Sequence, residues 1–214
     1  MRPNDTHLTE IEQDALAEIA NMGVSRAASS LRQMVGQQVF LSVPAVRIVT
    51  RQAASKLVER NNSNRLVAVQ QSFEGPFAGK ALLIFPQAQS LELVRSILGD
   101  EHSLEDVIDL EQEALAETGN IILNGCLATI ANLLHRTMRM SLPSIVRGDG
   151  ATLFESGSSG EQFVLFLYID FNIKKRDVRG FIALLMDLPS IAALKEIVND
   201  YVNSIQRQSP SHVG

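Results

Sequence analysis

The sequence predicts an α/β fold in which one α–β unit occurs twice around a central β-sheet, with a pseudo-two-fold axis between the copies. Residues 11–21 read IEQDALAEIAN and residues 110–120 read LEQEALAETGN, so seven of eleven aligned positions are identical at a separation of 99 residues. Such self-similarity indicates a duplicated structural unit. Each half also shows the same order of a long helix, strands and a short helix. The sheet should therefore be flanked by the two long helices.

The repeat also predicts how the chain is divided. A length of 214 residues allows a single domain with a sizeable core. We expect one domain over residues 1–214, with a first repeat at 8–100 and a second repeat at 107–206. Residues 1–7 and 207–214 are expected to be flexible.

The first repeat begins with a helix predicted over residues 9–34, because apolar residues recur there at the helical period. Thr9 and Glu12 have the spacing of a capping box, and Gly36 is expected to end the helix. The next element is a β-branched strand interrupted by a proline that suits an edge or a bulge. This strand is predicted at 39–50 around Pro44, a hairpin at 65–73 and 79–86, and a helix at 87–98, with 51–64 unassigned.

The second repeat follows the same plan. Its long helix is predicted from Asp109 to about Met138, with Asp109 and Gln112 in capping-box spacing. A strand is expected around Pro143. The remaining elements are a Gly- and Ser-rich loop at 148–160, strands at 161–172 and 178–187 joined by a turn at 173–177, and a helix at 189–206.

The composition of the chain limits which partners it can bind and where in the cell it is expected. The formal net charge is −5 and the basic residues are scattered, which argues against an electrostatic grip on nucleic acid or anionic lipid. A single cysteine, Cys126, excludes an internal disulfide and a cysteine-rich zinc site. The first residues contain no apolar signal stretch, and no aliphatic run is long enough to cross a bilayer. We therefore expect a cytoplasmic protein that binds neither nucleic acid nor membrane.

Helix geometry separates the repeated segments into two stripes, because successive residues are about 100° apart around the axis. The apolar stripes are Leu16, Ile19, Ala20, Gly23 and Ala27 in the first copy, and Leu115, Thr118, Gly119, Ile122 and Cys126 in the second. The polar stripes are Asp14, Glu18, Asn21 and Ser25 in the first copy, and Glu113, Glu117, Asn120 and Asn124 in the second. The Glu and Asn residues should therefore face outward in both copies.

A polar stripe is also what the solvent face of any amphipathic helix shows, and duplication alone preserves similarity by ancestry. The two halves nevertheless diverge almost completely after the repeated segment, between residues 22 and 38, whereas Glu and Asn persist. Asn is a mediocre helix former in mid-helix, so helix stability does not favour it there twice. Selective retention of this pair favours a functional stripe.

The polar stripes and the prolines that follow them form a spaced motif. It occurs at Asp14, Glu18, Asn21 and Pro44, and again with identical spacing at Glu113, Glu117, Asn120 and Pro143. This motif resembles the signature of the CheC, CheX and FliY chemotaxis phosphatases, which take Asp or Ser at the first position. Glu113 departs from that choice. Two copies in one chain of this length resemble the CheC type, and the resemblance covers residues 8 to 205.

The resemblance implies hydrolysis of the phospho-aspartate of a CheY-like response regulator in chemotaxis or related two-component signalling. It implies that Asn21 and Asn120 position the attacking water, since an acyl phosphate is already activated and positioning contributes much of what catalysis requires. By the same resemblance, Glu18 and Glu117 pair with the invariant lysine of the receiver. The other members of the polar stripes are expected to contact the partner, namely Asp14, Glu113, Ser25 and Asn124.

The resemblance also bears on cofactors and further partners. Magnesium is expected to be supplied by the bound response regulator, so this chain needs no cofactor and no metal site of its own. CheC-like proteins can bind the receptor deamidase CheD, which is a second candidate partner. We expect a monomer.

Two other readings stay open at the sequence level. The paired carboxylates, Asp14 with Glu18 and Glu113 with Glu117, could act as a general acid and base, although neither pair shows a cleft that would shift a pKa. The chain could instead be a non-catalytic adaptor that binds a receiver or CheD, as flagellar switch proteins resemble the same fold and lack the Glu and Asn pair. The presence of both pairs here favours catalysis.

Overall fold

The structure is a computed structural model that describes residues 8–59, 65–99, 102–133, 137–155, 163–173 and 176–208. These residues form six helices and one seven-stranded antiparallel sheet. The helices are α1 (Glu10–Val35), α2 (Arg51–Glu59), α3 (Gln87–Leu98), α4 (Leu104–Leu133), α5 (Gly150–Leu153) and α6 (Leu188–Gln208). The strands are β1 (Val39–Thr50), β2 (Leu66–Glu74), β3 (Gly79–Pro86), β4 (Arg139–Met140), β5 (Ser144–Gly148), β6 (Phe163–Ile173) and β7 (Arg176–Met186).

The sheet places the strands that follow the two long helices at its two opposite edges. The strand order is β1-β6-β7-β3-β2-β4, and β5 pairs with β2 on the same side as β4. The central pair is β3 with β7, in register from Gly79 opposite Met186 to Ile84 opposite Phe181. Strand β1, after α1, therefore forms one edge, and β4 with β5, after α4, forms the other.

Each face of the sheet supports its own apolar core, because successive side chains of a strand point to opposite faces. Along β6, Leu165 and Leu167 belong to the core that includes α1, α3, α4 and α6. Val164 and Phe166 belong to the core that includes α2 and α5. Both long helices that carry the repeated segments therefore lie on the same face.

The predicted start and end of α1 are confirmed. Thr9 caps the helix: its Oγ1 accepts from the Glu12 backbone N–H at 3.2 Å, and the Glu12 carboxylate accepts from the Thr9 backbone N–H at 2.7 Å. Gly36 ends the helix with φ 67°, a left-handed conformation that glycine adopts without a Cβ penalty. Both ends of α1 depend on residues a few positions apart, so the local sequence was enough to predict them.

The predicted bounds of the second long helix are wrong. It begins at Leu104 rather than Asp109, because Ser103 and Asp106 form the capping box: Ser103 Oγ accepts from the Asp106 backbone N–H at 3.1 Å. The hydrogen bonds that Ser103 donates from its hydroxyl and its backbone N–H lower the pKa of Asp106. The helix ends at Leu133 rather than near Met138, since the chain beyond the helix leads into β4, which pairs with β2.

Most other predicted elements are found within two residues of their expected bounds, including the hairpin, α3 and α6. The unassigned stretch forms α2, and the expected loop holds the short α5, although residues 156–162 lie outside the described residues. The predicted turn is shorter, since β6 reaches Ile173 and β7 begins at Arg176, with 174–175 outside the described residues. Residues 1–7 and 209–214 also lie outside, and α6 includes residues 207–208, which had been expected to be flexible.

The two prolines of the motif differ in placement. Pro44 lies inside β1, as predicted, at a break in register between Ser42 and Ala45 against β6. Pro143 lies between β4 and β5, so the expectation of a strand around it is only partly met. A proline cannot donate to a ladder, and the two edges accommodate that loss differently.

Helix α4 is long and apolar enough to cross a membrane by length and composition, the only such helix among the described residues. More than half of its most apolar stretch, 56%, is buried inside the protein. It packs against α1, α3 and the sheet, which is the environment of a core helix.

Candidate functional site

The division of each long helix into an apolar and a polar stripe is confirmed by burial. All ten members of the two apolar stripes are buried, and Ile122 and Thr118 have no exposed surface. In the polar stripes the acidic residues and Ser25 are exposed, whereas the three asparagines, Asn21, Asn120 and Asn124, are half-buried. The carboxylates therefore face solvent while the carboxamides contact the protein.

The two helices approach each other closely at small residues. A Cβ on Gly23 would lie 2.8 Å from the Cα of Cys126 and 3.0 Å from the carbonyl oxygen of Gly125. Arg26 Nη1 donates to Thr129 Oγ1 at 3.3 Å one turn further along. The tight contact fixes the two polar stripes in one helical layer. Burial raises the pKa of the Cys126 thiol to about 12, so this cysteine is a packing residue.

The acidic residues of both stripes have no intramolecular partner among the residues that the structure describes. No hydrogen bond or ion pair to another described residue involves Glu18, Glu117, Asp14 or Glu113. An exposed, unpaired carboxylate keeps its capacity for a cation from outside the chain. These side chains fit the partner-binding role that the sequence predicts for them, and that role stays a prediction.

Asn21 is held by the backbone of the strand that follows its own helix. Its Nδ2 donates to the carbonyl oxygens of Ala17 at 2.9 Å and Val43 at 3.1 Å, and its Oδ1 accepts from the Val43 N–H at 2.8 Å. The carboxamide thus pairs with both polar groups of Val43, as a neighbouring strand would.

This pairing gives a physical reason for the separation of Asn21 and Pro44 along the sequence. The register of β1 against β6 shifts between Ser42 and Ala45, so Val43 lies in a bulge where regular ladder bonds are interrupted. Val43 is buried, and an unpaired backbone group there would cost free energy comparable to a lost hydrogen bond. Asn21 provides hydrogen-bond partners for both backbone groups of Val43, which directly precedes Pro44.

Asn120 is held by side chains instead. Its Oδ1 accepts from Gln71 Nε2 at 3.1 Å and from Asn124 Nδ2 at 2.8 Å. Gln71, which is 1% exposed in β2, also donates to the carbonyl oxygen of Ser141 at 2.9 Å. Leu142, the repeat equivalent of Val43, is 89% exposed and makes no such pair with Asn120. The second copy therefore has the same residues with a different support.

Sequence reasoning missed Gln71 and the role of Val43. Gln71 is one of two adjacent glutamines in the otherwise apolar run LVAVQQSF, and a polar residue in a buried strand was the available signal. Its contact with Asn120 spans 49 residues of sequence, so helix periodicity could not find it.

A pair of buried glutamates also lies beneath the two stripes at equivalent repeat positions. Glu12, 6% exposed, completes the cap of α1. Glu111, 5% exposed, accepts from Ser90 Oγ at 2.8 Å and from Arg147 Nη2 at 2.7 Å. These bonds tie α4 to α3 and β5. The two glutamates are structural, because each already has partners inside the protein.

The described residues contain no group of three or more His, Cys, Asp or Glu side chains placed to hold a metal ion. The acidic residues along each polar stripe are spread over successive helical turns rather than converging.

Two family models match the chain in the regions described above. The model described as CheC-like family matches residues 11–48, which include the first motif, and the model described as chemotaxis phosphatase CheX matches residues 67–167, which include the second. Together with the curated relatives, the two models support membership of the CheC-type chemotaxis phosphatase family.

Curated relatives agree with this membership. The chain is 24% identical to the CheY-P phosphatase CheC of Bacillus subtilis over 143 residues, which are 64% of this chain and 67% of that protein. It is 20% identical to the flagellar motor switch phosphatase FliY of Bacillus subtilis over 205 residues, 94% of this chain. The match spans only about half, 52%, of FliY's own length.

Solved structures share the fold. The FliY structure from Thermotoga maritima superposes with a TM-score of 0.71 at 18% identity, covering 90% of this chain and 98% of that one. FliM in the FliG–FliM complex from H. pylori gives a TM-score of 0.62 at 12% identity, covering 88% and 100%. The architecture is therefore common to this family and to a flagellar protein, and the polar stripes must carry any functional argument.

Proposed function

We propose that this protein hydrolyses the phospho-aspartate of a CheY-like response regulator in chemotaxis signalling. One observation carries the proposal: each long helix presents an exposed glutamate that has no partner among the described residues and, three residues later, a carboxamide fixed by bonds to neighbouring groups. The pairs are Glu18 with Asn21 and Glu117 with Asn120. The names of the curated relatives support this activity.

The chemistry asks little of the protein beyond positioning. Water attacks phosphorus, the bond between phosphorus and the aspartyl oxygen breaks, its electron pair stays on the aspartate carboxylate, and the water protons leave with phosphate and solvent. A carboxamide can hold the water in line without acting as a strong base. Asn21 and Asn120 are the candidate catalytic residues, at one or both copies.

The remaining polar residues would set the docking register. An exposed Glu18 or Glu117 would pair with the receiver's active-site lysine, and Asp14, Glu113, Ser25 and Asn124 would contact the surrounding surface. The Mg²⁺ would come with the receiver, bound by the receiver's own acidic groups. No step requires a cofactor held by this chain.

We also propose that the chain is one domain made of two repeats related by a pseudo-two-fold axis. The element order is consistent with this, since α1, β1, α2, β2, β3 and α3 have counterparts in α4, β5, α5, β6, β7 and α6. Leu82 pairs with Ala183 at the centre of the sheet, and the residues on either side of this pair also face each other in antiparallel register. This arrangement supports a pseudo-two-fold axis that passes through the pair. A cytoplasmic monomer with CheD as a second partner remains part of the proposal.

The test is release of phosphate from receivers labelled with radioactive acetyl phosphate, using the single-domain CheY-like receivers of the same organism. We expect the wild-type protein to accelerate the loss of label from at least one receiver. Asn21→Ala combined with Asn120→Ala should abolish the acceleration while thermal unfolding stays cooperative. Asn132→Ala, an exposed asparagine on α4, is the matched control and should retain full activity. A double variant as fast as wild type would show that the asparagines are not catalytic.

A second assay addresses docking. Glu18→Lys combined with Glu117→Lys should weaken binding of receiver activated with beryllofluoride, because a like charge would meet the receiver's lysine. Glu196→Lys combined with Asp200→Lys, two exposed acidic residues on α6, makes the same change in net charge and is the matched control. Unchanged affinity in the double variant would refute the ion-pair role.

The rival function is a non-catalytic adaptor, favoured by the fold shared with FliM at a TM-score of 0.62. The same two assays separate the candidates. An adaptor would bind the beryllofluoride-activated receiver without increasing the rate of phosphate loss.

A further inference from the structure

We propose that the two copies of the motif divide the work: the first copy holds the attacking water and hydrolyses, and the second binds the phosphoryl group without hydrolysing it. This inference rests on the proposed phosphatase function. It follows from which end of each catalytic carboxamide is left for a ligand.

Asn21 has one hydrogen-bonding position left, and that position is an acceptor. A carboxamide has two N–H donors and two lone pairs on its oxygen. Both donors of Asn21 are used, by the carbonyl oxygens of Ala17 and Val43, and one lone pair accepts from the Val43 N–H. The half-buried side chain therefore offers a ligand one lone pair on Oδ1.

Asn120 has the opposite character. Its Oδ1 accepts from both Gln71 and Asn124, which occupies both lone pairs. Its Nδ2 makes no hydrogen bond to any residue in the described ranges, and the side chain is half-buried. Asn120 therefore offers a ligand two N–H donors and no acceptor.

Backbone groups fix both orientations. An amide can be turned around without changing its shape, so its orientation has to be assigned from the groups around it. The Val43 N–H can only donate, so Asn21 must face it with oxygen. The Ser141 carbonyl can only accept, so Gln71 must face it with nitrogen, and the other hydrogen of that nitrogen points to Asn120 Oδ1.

The free acceptor of Asn21 and the free donors of Asn120 suit different tasks in phosphoryl hydrolysis. An acceptor holds water by one of its O–H bonds and leaves a water lone pair free to attack phosphorus. A donor would engage that lone pair, whereas it matches the negatively charged phosphoryl oxygens well. Asn21 is thus equipped to orient the nucleophile, and Asn120 is equipped to bind the phosphoryl group.

Gln71 is the positioning residue that imposes this difference. It is buried in β2, and neither its own buried carbonyl oxygen nor that of Asn124 has a hydrogen-bond partner among the described residues. Without the donor of Gln71, the amides of Asn120 and Asn124 can both turn around, which presents the Asn120 oxygen to a ligand and gives the second copy the acceptor that it lacks.

The first experiment compares two single variants at saturating phosphoreceiver. We expect Asn21→Ala to lower the maximal rate by about 100-fold, a loss typical of one catalytic hydrogen-bonding group. We expect Asn120→Ala to bind the beryllofluoride-activated receiver about tenfold more weakly, as for one lost charge-assisted bond, and to lose far less of the maximal rate than Asn21→Ala does. Thermal unfolding verifies that each variant is folded.

The second experiment seeks a gain of activity, which a purely structural role for Gln71 would not produce. In the Asn21→Ala background, Gln71→Leu should raise the maximal rate by about tenfold or more, since Asn120 regains an acceptor. Gln70→Leu, its neighbour in β2, is the matched control and should give no gain.

The outcomes separate this inference from the proposed function. An Asn120→Ala variant that loses as much of the maximal rate as Asn21→Ala, or no gain from Gln71→Leu, overturns the division of work while the phosphatase assignment stands. Should Asn21→Ala fail to fold, Asn21→Ser, whose hydroxyl can still donate to the backbone, takes its place. Absence of any acceleration by the wild-type protein overturns the proposed function itself.

Discussion

The two copies of the motif have the same spacing and nearly the same residues, yet their asparagines are supported differently. In the first copy Asn21 pairs with the backbone of β1 beside Pro44. In the second copy Pro143 lies outside any strand, and Asn120 is held by the side chains of Gln71 and Asn124 instead. Identical residues on two helices therefore do not guarantee identical chemistry, because the groups packed against each asparagine decide which end of its amide is free.

The same contrast extends to the residues beneath the stripes. Glu12 caps its own helix and lies at the 4.0 Å limit of an ion pair with Lys195 of α6, whereas its equivalent Glu111 makes short bonds that connect three elements. Ala20 in the first copy corresponds to Gly119 in the second, where the sheet approaches α4 closely. The second copy depends more on tertiary contacts, so substitutions there should cost more where packing is involved.

The largest effect should come from the buried glutamate of the second copy. Glu111→Ala removes the partner of Ser90 and Arg147, and we expect a loss of about 3 kcal/mol in the free energy of unfolding. The exposed half of Arg147 can rehydrate, which keeps the loss at the low end of that for a broken buried pair. Glu12→Ala should cost less, about 1 kcal/mol for the lost cap and up to about 1 kcal/mol more for the long ion pair with Lys195.

Urea unfolding of the two glutamate variants measures this difference. Equal losses for Glu111→Ala and Glu12→Ala would remove the contrast in tertiary support.

The next effect concerns the close approach of α4 to the sheet. A Cβ on Gly119 would lie 2.5 Å from the Cβ of Val69, so Gly119→Ala forces a displacement. Helix propensity favours alanine by about 1 kcal/mol, and overpacking costs up to about 3 kcal/mol, so we expect a net loss of about 2 kcal/mol. Thermal unfolding decides the sign. A more stable Gly119→Ala would mean that the sheet yields freely at this point.

A smaller effect should separate the two asparagines in stability. Asn21→Ala leaves the N–H and C=O of buried Val43 unpaired, whereas Asn120→Ala frees only side-chain groups that can find other partners. We expect Asn21→Ala to lose about 1 kcal/mol more in unfolding free energy. Hydrogen exchange at the Val43 amide provides a local check, and Asn132→Ala is the control. Equal losses and an unchanged Val43 exchange rate would argue against the backbone pairing.

The smallest effect lies at the start of α4. Bonds donated by Ser103 lower the pKa of Asp106, so the charged form is favoured in the folded state. Its contribution is present above the unfolded-state pKa and is lost as pH falls through the lower folded-state pKa. Asp106→Asn should therefore flatten the acid side of the stability curve slightly. An NMR titration that places the Asp106 carboxyl at its ordinary pKa would contradict this.

Local signals made much of the fold readable from sequence. The capping box and terminal glycine of α1, the hairpin and the apolar stripe of each long helix all depend on residues a few positions apart. The start of α4 was misplaced because Asp109 with Gln112 imitates a cap inside a helix that Ser103 and Asp106 had already begun.

Only part of the candidate site could be predicted from the sequence. Helix phase identified the glutamates and asparagines, but it could not find the hydrogen-bond partners of the asparagines that lie on strands. The contact of Asn21 with Val43 spans 22 residues and that of Asn120 with Gln71 spans 49. Whether an asparagine offers oxygen or nitrogen depends on these contacts, and no sequence period encodes them.

The most direct test of the account is the maximal rate of phosphate release from a saturating labelled receiver, measured for Asn120→Ala beside Asn21→Ala. We expect the rate of Asn21→Ala to fall by about 100-fold and Asn120→Ala to lose far less. Equal losses in the two variants, or a greater loss in Asn120→Ala, would contradict the claim that hydrolysis belongs to the first copy.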